Sequence, residues 1–195
     1  MKYLPRIPVL LLDVDEVLAD FVGAAFALHN VERAAFYARH PPGQWSITDT
    51  LGVSLDEFWK RIRGAGADFW AELQPLPWMP YLLLLAQESA EVVYLVSAPD
   101  RHASSYDGKL RWIQTHLGPK FHDYVLTEHK SLFARPGSVL IDDREETVLR
   151  FAGPCYGGAA ILFPSRHNRL CPLADDPLPY VAEQLKELRH ALKVS

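Results

Sequence analysis

The sequence predicts an α/β fold, in which helices pack on a parallel sheet and a small helical cap follows the first strand. Three observations lead to this expectation. Short apolar runs recur without polar alternation, helical patterns lie between them, and about 80 residues separate the first two runs. Parallel strands that are covered on both faces have such continuous apolar runs. A crossover between neighbouring strands needs far fewer than 80 residues, so the long first connection must contain an inserted unit.

Four apolar runs are the candidate strands. They are "PVLLLD" near 8–13, "EVVYLVSA" near 91–98, "SVLIDD" near 138–143 and "AAILF" near 159–163. Because none of them alternates apolar with polar residues, each is expected to be buried on both faces of the sheet.

Helical patterns with recognisable ends occupy the intervals. "SLDEFWKRI" opens with Ser54 and Glu57 at the spacing of a capping box. "KLRWIQTHLG" repeats apolar residues at helical spacing and stops at Gly118. The last helix is expected after Asp176, with Pro177 in its first turn. Strands that alternate with helices in this way indicate an α/β sheet.

The expected domain organisation is a core of residues 1–20 and 78–195 with a cap of residues 21–77. The cap region is rich in aromatic residues, and the proline-rich stretch "QPLPWMP" indicates the return from the cap to the core. The cap is expected to be mostly helical and to lie over the sheet.

Composition excludes several classes of protein. The net charge of −4 gives no electrostatic reason to expect nucleic-acid binding, and the two cysteines cannot form a disulfide framework or a zinc site. The apolar run near the N-terminus ends at Asp13, which is too short for a signal peptide or a membrane span. A cytoplasmic protein without a membrane partner is therefore expected.

Carboxylates follow two of the candidate strands. Asp13 and Asp15 come after the first strand, Asp142 and Asp143 end the "VLIDD" strand, and Ser97 ends the "YLVSA" strand. Ligands of open α/β sheets bind beyond the carboxyl ends of the strands, so these side chains meet if the three strands are neighbours. Unpaired carboxylates repel one another, and a hard divalent cation relieves the repulsion. Oxygen ligands alone indicate Mg²⁺.

Such a site has the groups needed for phosphoryl transfer. One aspartate can attack phosphorus and form an aspartyl-phosphate, and a second carboxylate can protonate the leaving oxygen and then activate water. Mg²⁺ and a lysine would neutralise the phosphoryl oxygens. Lys130, in "TEHKS", is the best candidate for that lysine.

The motifs of this chain resemble those of a known superfamily. "DVDEV", a strand ending in "SAP", "HK" and "IDD" occur in the order of the four motifs of the haloacid dehalogenase-like phosphatases. Longer segments, among them "DVDEVLADF", "DFWAELQPLP" and "LIDDREETV", resemble the 5'(3')-deoxyribonucleotidases over roughly residues 8–170. The resemblance is weakest between about 27 and 65. It implies a Rossmann-like core with the cap inserted after the first strand.

The resemblance also implies roles for individual residues. Asp13 would be the nucleophile and Asp15 the general acid/base. The implied Mg²⁺ ligands are Asp13, the backbone carbonyl of Asp15 and Asp143, with Asp142 beside them. The implied substrate-binding residues are Ser97 and Lys130 at the phosphate, Arg101 near it, and Phe21, Trp45 and Phe69 or Trp70 around the nucleoside.

The chain departs from the family pattern at several positions. Glu16 stands where many relatives have glycine, and Ser97 replaces a common threonine but keeps the hydroxyl. Glu128 and His129 stand where the animal enzymes have Arg-Asp before the lysine. These departures leave the base preference open.

The sequence therefore predicts a Mg²⁺-dependent phosphatase that removes the 5'-phosphate from small nucleoside monophosphates, with deoxynucleotides preferred. Two alternatives stay open: a phosphatase of the same superfamily that acts on another phosphorylated metabolite, and a catalytically silent nucleotide-binding protein. The expected partner is the small-molecule substrate, without stable nucleic-acid binding. The oligomeric state is open, and a homodimer is one alternative.

Overall fold

A five-stranded parallel sheet forms the centre of the molecule, which confirms the predicted fold class. The structure is a computed structural model and describes residues 4–155 and 157–192. The strand order is β3-β2-β1-β4-β5. The strands are β1 (Ile7–Leu12), β2 (Ala90–Ser97), β3 (Tyr124–Leu126), β4 (Ser138–Asp142) and β5 (Ala159–Leu162).

The register aligns the carboxyl ends of the three central strands. Leu12, the last residue of β1, lies opposite Leu95 in β2 and Ile141 in β4. The polar residues that come one or two positions later in these three strands are therefore brought to one edge of the sheet. The predicted site requires these three strands to be neighbours, and the strand order confirms that they are.

Helices join these strands, and among them are all three whose ends the sequence patterns predict. The helices are α1 (Phe21–Leu28), α2 (Arg33–Tyr37), α3 (Ile47–Leu51), α4 (Leu55–Ala71), α5 (Met79–Ser89), α6 (Ala103–Leu117), α7 (Glu145–Phe151) and α8 (Leu178–Ala191). The Ser54 side chain accepts a hydrogen bond of 3.1 Å from the backbone N–H of Glu57, as the capping spacing predicts. Helix α6 ends at Leu117 before Gly118, and α8 begins after Pro177.

Strand β3 was not among the four candidate strands. It has three residues, Tyr124–Leu126, and all three are only partly buried at the edge of the sheet. Its pairing is entirely with β2, where Leu95 lies opposite Tyr124. A three-residue edge strand is too short to give a period-2 or continuous apolar signal, so only the tertiary structure identifies it.

Residues 21–77, which we call the cap segment, contain helices α1–α4. The chain enters and leaves this segment side by side: Asp20 N–H donates to the carbonyl oxygen of Gln74 at 2.9 Å, and Leu76 N–H donates to that of Leu18 at 2.8 Å. The indole N–H of Trp78 donates to the carbonyl oxygen of Val17 at 2.9 Å. These bonds fix the two ends of the cap segment next to the end of β1.

Helix α4 of the cap segment packs closely on α6. A Cβ atom at Gly108 in α6 would lie 2.3 Å from the carbonyl oxygen of Ala67 in α4, so a glycine is required at this contact. Arg63 donates two hydrogen bonds of 2.8 Å to Asp100, just before α6. The cap segment is thus docked on the core through backbone contact and ion pairing.

Candidate active site

Asp13 lies directly beyond β1, where its backbone continues the pairing with β4. Its N–H donates to the carbonyl oxygen of Ile141 at 3.0 Å, and its Oδ1 accepts a hydrogen bond of 2.8 Å from the N–H of Val14. The chain then turns, because the N–H groups of Leu18 and Ala19 both donate to the carbonyl oxygen of Val14. Asp13 is buried, so the turn holds its carboxylate at the sheet edge and away from bulk water.

Glu16 occupies a left-handed backbone position inside this turn. Its φ angle is 58°, a region that favours glycine. This conformation gives a physical reason why the family resemblance implies a glycine at this position. The Glu16 side chain compensates by accepting a hydrogen bond of 2.8 Å from the N–H of Val22 at the start of α1. Burial raises the pKa of the Glu16 carboxyl to about 8.

Asp142 and Asp143, at the end of β4, are both buried but differ in their contacts. Asp142 Oδ1 accepts a hydrogen bond of 2.9 Å from the N–H of Arg144. Asp143 Oδ2 is buried without a hydrogen-bond partner among the residues described. The amide of Asn168 donates to the backbone carbonyl oxygen of Asp143 at 2.8 Å and fixes this segment. Of the two aspartates, Asp143 has the oxygen that is free to bind a ligand.

Lys130 lies between the two groups of carboxylates. It opens a short 3-10 turn, Lys130–Phe133, and its buried Nζ lies 2.6 Å from Asp13 Oδ1 and 2.7 Å from Asp142 Oδ2. Burial alone would lower the pKa of its ammonium, but the two aspartates outweigh burial and raise it. Lys130 is therefore a permanent positive charge at the site.

Three buried carboxylates face this one ammonium group. Asp13, Asp142 and Asp143 each offer an oxygen, and these oxygens lie within 4.8 Å of one another. Burial, together with the neighbouring carboxylates, raises the pKa of Asp13 and of Asp143. All-oxygen donors, excess negative charge and the unpartnered Asp143 Oδ2 suit a hard divalent cation such as Mg²⁺.

Ser97 and Asp15 meet at a lysine that the sequence analysis did not select. Lys109 in α6 is buried, and its Nζ lies 2.5 Å from Asp15 Oδ2 and 3.0 Å from Ser97 Oγ. Its ammonium also lies 4.5 Å from the ring centroid of Trp70 in the cap segment. The structure thus adds a second lysine to the predicted set.

One signal in the sequence could have identified Lys109. The buried residues of α6 follow helical spacing, and Lys109 is the only charged one among them; they are Ser105, Gly108, Lys109, Trp112 and Ile113. A lysine on the buried stripe of a helix requires an anionic partner, because an unpaired buried charge is costly. The pattern alone could not have identified that partner as Asp15.

The predicted aromatic residues fall into two groups. Phe21, at the start of α1, stacks on Trp70 with ring centroids 5.5 Å apart and meets Phe69 edge-on at 5.8 Å. Trp70 is almost fully buried, so its contact with the polar groups of the site is through Lys109. Phe21 and Trp70 therefore belong to one packed aromatic cluster, in which Trp70 is buried and Phe21 stays partly exposed.

Trp45 is exposed and lies beside Arg144, just beyond the end of β4. Its side chain borders a cavity of about 340 Å³ together with Arg144, the residue after Asp143, and with His167. The Arg144 guanidinium lies 5.8 Å from the centroid of the Trp45 ring. Gly43 has a φ angle of 79°, and a Cβ atom placed on it would lie 3.0 Å from the carbonyl oxygen of Asn168. Because glycine has no Cβ, the loop that carries Trp45 can pack close to Asn168.

Arg101 is not brought to the carboxylates. Its side chain is 89% exposed, and the guanidinium lies 3.9 Å from the carboxylate of Glu128. Glu128 therefore faces a cation supplied by the loop between β2 and α6. In this structure Lys130 and Lys109, rather than Arg101, are the cations of the buried site.

A larger cavity, of about 600 Å³, lies next to the ends of the cap segment. Its lining includes Glu16, Tyr37, Trp78 and Arg166. The three clustered aspartates do not belong to the described residues that line it. It is adjacent to the carboxylate cluster through Glu16.

Solved structures with the same architecture are haloacid dehalogenase-like hydrolases. A haloacid dehalogenase-like family hydrolase from Streptococcus pneumoniae is 15% identical and superposes with a TM-score of 0.54, covering 91% of this chain and 98% of that chain. A predicted phosphatase from Clostridium acetobutylicum is 12% identical with a TM-score of 0.55, covering 94% of this chain and 100% of that one. The fold is therefore that of the haloacid dehalogenase-like class.

The sequence comparisons define the family within that class. The model of the family described as "5' nucleotidase, deoxy (Pyrimidine), cytosolic type C protein" matches residues 7–173, and the chain belongs to this family. The human cytosolic-type 5'(3')-deoxyribonucleotidase is 27% identical over 172 residues, which cover 82% of this chain and 81% of the human protein. The chain is a phosphoric monoester hydrolase, as the resemblance of its motifs indicated.

Within residues 4–155 and 157–192, no helix combines the length and apolar character that crossing a bilayer requires.

Proposed function

We propose that this chain is a Mg²⁺-dependent 5'-deoxyribonucleotidase that hydrolyses deoxynucleoside monophosphates through an aspartyl-phosphate on Asp13. The observation that carries the proposal is the buried group of Asp13, Asp142 and Asp143 around the Lys130 ammonium. The family supports a nucleotide substrate, and the human relative is described as a deoxyribonucleotidase.

In the first half-reaction Asp13 is the nucleophile. Its Oδ1 already contacts Lys130 and the N–H of Val14, so Oδ2 is the oxygen that attacks phosphorus. The P–O bond to the nucleoside 5'-oxygen breaks, and that oxygen takes a proton from the Asp15 carboxyl. The products are the nucleoside and a phosphoryl group covalently bound to Asp13.

In the second half-reaction water replaces Asp13 on phosphorus. Asp15, now a carboxylate, removes a proton from the water, and the bond between phosphorus and Asp13 breaks. Inorganic phosphate leaves and both aspartates return to their starting states. Ser97 Oγ and Lys130 Nζ hold the phosphoryl oxygens through both steps.

The residues that would hold Mg²⁺ are Asp13, the backbone carbonyl of Asp15 and Asp143, with Asp142 beside them. When bound, the ion supplies positive charge that offsets the charge on the phosphoryl oxygens. The buried, unpartnered Asp143 Oδ2 supports this assignment over Asp142, whose two oxygens already contact Arg144 N–H and Lys130.

The nucleoside is proposed to lie between the carboxylates and the cap segment. Trp45 offers an exposed ring beside Arg144, and stacking of a base on an aromatic ring contributes about 1–3 kcal/mol. A ribose 2'-hydroxyl against the apolar edge of Phe21 would lose water without gaining a partner, at a cost of roughly 1–3 kcal/mol. Deoxynucleotides are therefore expected to have the higher kcat/KM, by about 10-fold or more.

The test is phosphate release from a panel of substrates with Mg²⁺ and with excess chelator. The panel contains dUMP, dTMP, dCMP, dAMP and dGMP, their ribose counterparts where they exist, and several sugar phosphates. Mg²⁺-dependent turnover with deoxynucleotides ahead of ribonucleotides supports the proposal. Equal or better turnover of sugar phosphates contradicts the nucleotidase assignment and favours a phosphatase of another metabolite.

If nucleotides bind but no phosphate is released, the chain is a catalytically silent nucleotide-binding protein. Isothermal titration with the same nucleotides separates the two results.

A cytoplasmic location is part of the proposal, since the human relative is described as cytosolic. Cell fractionation with activity measured in each fraction tests it.

A further inference from the structure

Lys109 contacts two residues of the proposed active site, whereas a single anionic partner would be enough for a buried lysine with a structural role. Its side chain is 2% exposed on the face of α6 that packs against the cap segment. A buried ammonium group is stable only where anionic or polar partners replace its water. Lys109 finds two of them, Asp15 and Ser97, and these are the proposed acid/base and a proposed phosphate-binding residue.

Only one of the two oxygens of the Asp15 carboxylate has a hydrogen-bond partner among the residues described. Oδ2 lies 2.5 Å from Lys109 Nζ, whereas Oδ1 is buried and has no hydrogen-bond partner among the residues described. The contact with Lys109 therefore restricts rotation of the carboxyl group and leaves Oδ1 as the oxygen that can exchange a proton with substrate.

The position of Lys109 in turn depends on the cap segment. Its ammonium lies 4.5 Å from the centroid of the Trp70 ring in α4. The neighbouring Gly108 permits the close approach of α4, because any Cβ there would meet the Ala67 carbonyl oxygen and the Trp70 Cβ. Only when α4 is docked does Trp70 cover the ammonium and exclude water from it.

We propose that Lys109 is a positioning residue: it holds Asp15 so that Oδ1 faces the leaving oxygen, and Trp70 of the docked cap segment holds Lys109 in place. The inference rests on the proposed function, because it assumes that Asp15 transfers the proton. Proton transfer needs heavy-atom distances of about 2.6–3.2 Å, so a carboxyl group free to rotate loses much of its effect. A misplacement of about 1 Å can cost roughly 100-fold in rate.

The decisive variant is Lys109→Met, which removes the ammonium and keeps a long apolar chain. Turnover is measured on the best nucleotide, whose alkoxide leaving group needs a proton, and on 4-nitrophenyl phosphate, whose leaving group does not. Because hydrolysis of the aspartyl-phosphate is common to both substrates and contributes to kcat, the comparison uses kcat/KM, which covers only the first half-reaction. We expect kcat/KM to fall by about 30–100-fold on the nucleotide and by less than about 5-fold on the aryl phosphate. Lys120→Met, an exposed lysine just after α6, is the matched control and should equal wild type on both.

Asp15→Asn and the double variant Lys109→Met/Asp15→Asn complete the experiment. If Lys109 acts through Asp15, the double variant is no slower than Asp15→Asn alone. Independent, multiplicative defects contradict the proposal, as does an equal loss in kcat/KM of Lys109→Met on the two substrates. Absence of any leaving-group dependence in Asp15→Asn contradicts the acid role itself, and so identifies failure of the proposed function.

Trp70→Phe is the second variant, and it tests the proposal even if Lys109→Met does not fold. It leaves both polar contacts of Lys109 in place and reduces the ring that covers the ammonium. We expect a nucleotide-selective loss of about 3–10-fold in kcat/KM, with the folded state verified by thermal unfolding. If the variant that folds shows equal losses on both substrates, Lys109 has no positioning role.

Discussion

The sheet edge and the cap segment contribute to the same site in different ways. At the sheet edge, Asp13, Asp142 and Lys130 are buried, and each contacts another charged group at 2.6–2.7 Å. In the cap segment the contributions are aromatic: Phe21 and Trp70 are packed together, and Trp45 is 49% exposed next to Arg144.

This difference indicates a division of labour. Buried, mutually held charges are pre-organised for a reaction that is common to many phosphate esters. In the proposed function, the exposed Trp45 ring on its loop adapts to the part of the substrate that varies. Changes at the sheet edge should therefore affect the rate with every substrate, and changes at Trp45 should affect nucleotides selectively.

The largest expected effect is that of Asp13→Asn. The amide is nearly isosteric, but it is a poor nucleophile and removes one charge from the cluster. We expect kcat to fall by at least about 10³-fold on nucleotides and on aryl phosphates alike, with the fold retained. Steady-state kinetics and thermal unfolding measure the two effects, and more than a tenth of wild-type activity would exclude covalent catalysis through Asp13.

Asp143→Asn should change the Mg²⁺ requirement. Loss of an anionic oxygen ligand should raise the Mg²⁺ concentration for half-maximal activity by at least about 10-fold, a loss that even outer-shell partners typically cause. Asp107→Asn, on the exposed side of α6, is the control. A normal titration for Asp143→Asn with a shifted one for Asp142→Asn would exchange the roles of the two aspartates.

Trp45→Ala tests whether the cap segment contributes selectively to nucleotide binding. Loss of one stacking contact should raise KM for nucleotides by roughly 10-fold, while KM for 4-nitrophenyl phosphate changes less. Tyr81→Ala, which removes an exposed ring from α5, should leave both unchanged. Equal increases in KM for the two substrates would mean that Trp45 supports the site as a whole and not the nucleoside.

The smallest expected effect concerns stability at the contact between the two regions. Burial, together with the nearby His40, lowers the pKa of His167 to about 4, and its Nε2 lies 3.0 Å from the Tyr37 hydroxyl of the cap segment. In the unfolded chain the pKa is near its usual 6.5. The unfolded state therefore binds the proton first as pH falls, and the stability that is present above pH 6.5 is lost between about pH 6.5 and 4.

His167→Gln should remove this dependence. Between pH 7 and pH 5 the free energy of unfolding of wild type should fall by about 2 kcal/mol more than that of the variant. Denaturant titrations at the two pH values measure the difference, and other titrating groups cancel because both proteins contain them. Parallel pH dependence in the two proteins would show that His167 is accessible to protons in the folded state.

Much of the site could be predicted from the sequence because it lies at strand ends. The apolar runs before Asp13, Ser97 and Asp142 fix where each strand stops, and parallel hydrogen bonding brings neighbouring carboxyl ends together. The motif order supplied Lys130, which lies in a short turn with no signal of its own. The match of the family model to residues 7–173 supports the resemblance from which that motif order was taken.

The remaining features depend on contacts between elements that are far apart in the chain. Lys109 contacts Asp15, which lies 94 positions earlier in the chain, and Gly108 allows α6 to pack against the backbone of α4 at Ala67. Trp45 meets Arg144 because Gly43 lets its loop approach Asn168. Local periodicity specifies which residues are buried in an element, but the side-chain partners across two packed elements are decided only when those elements meet.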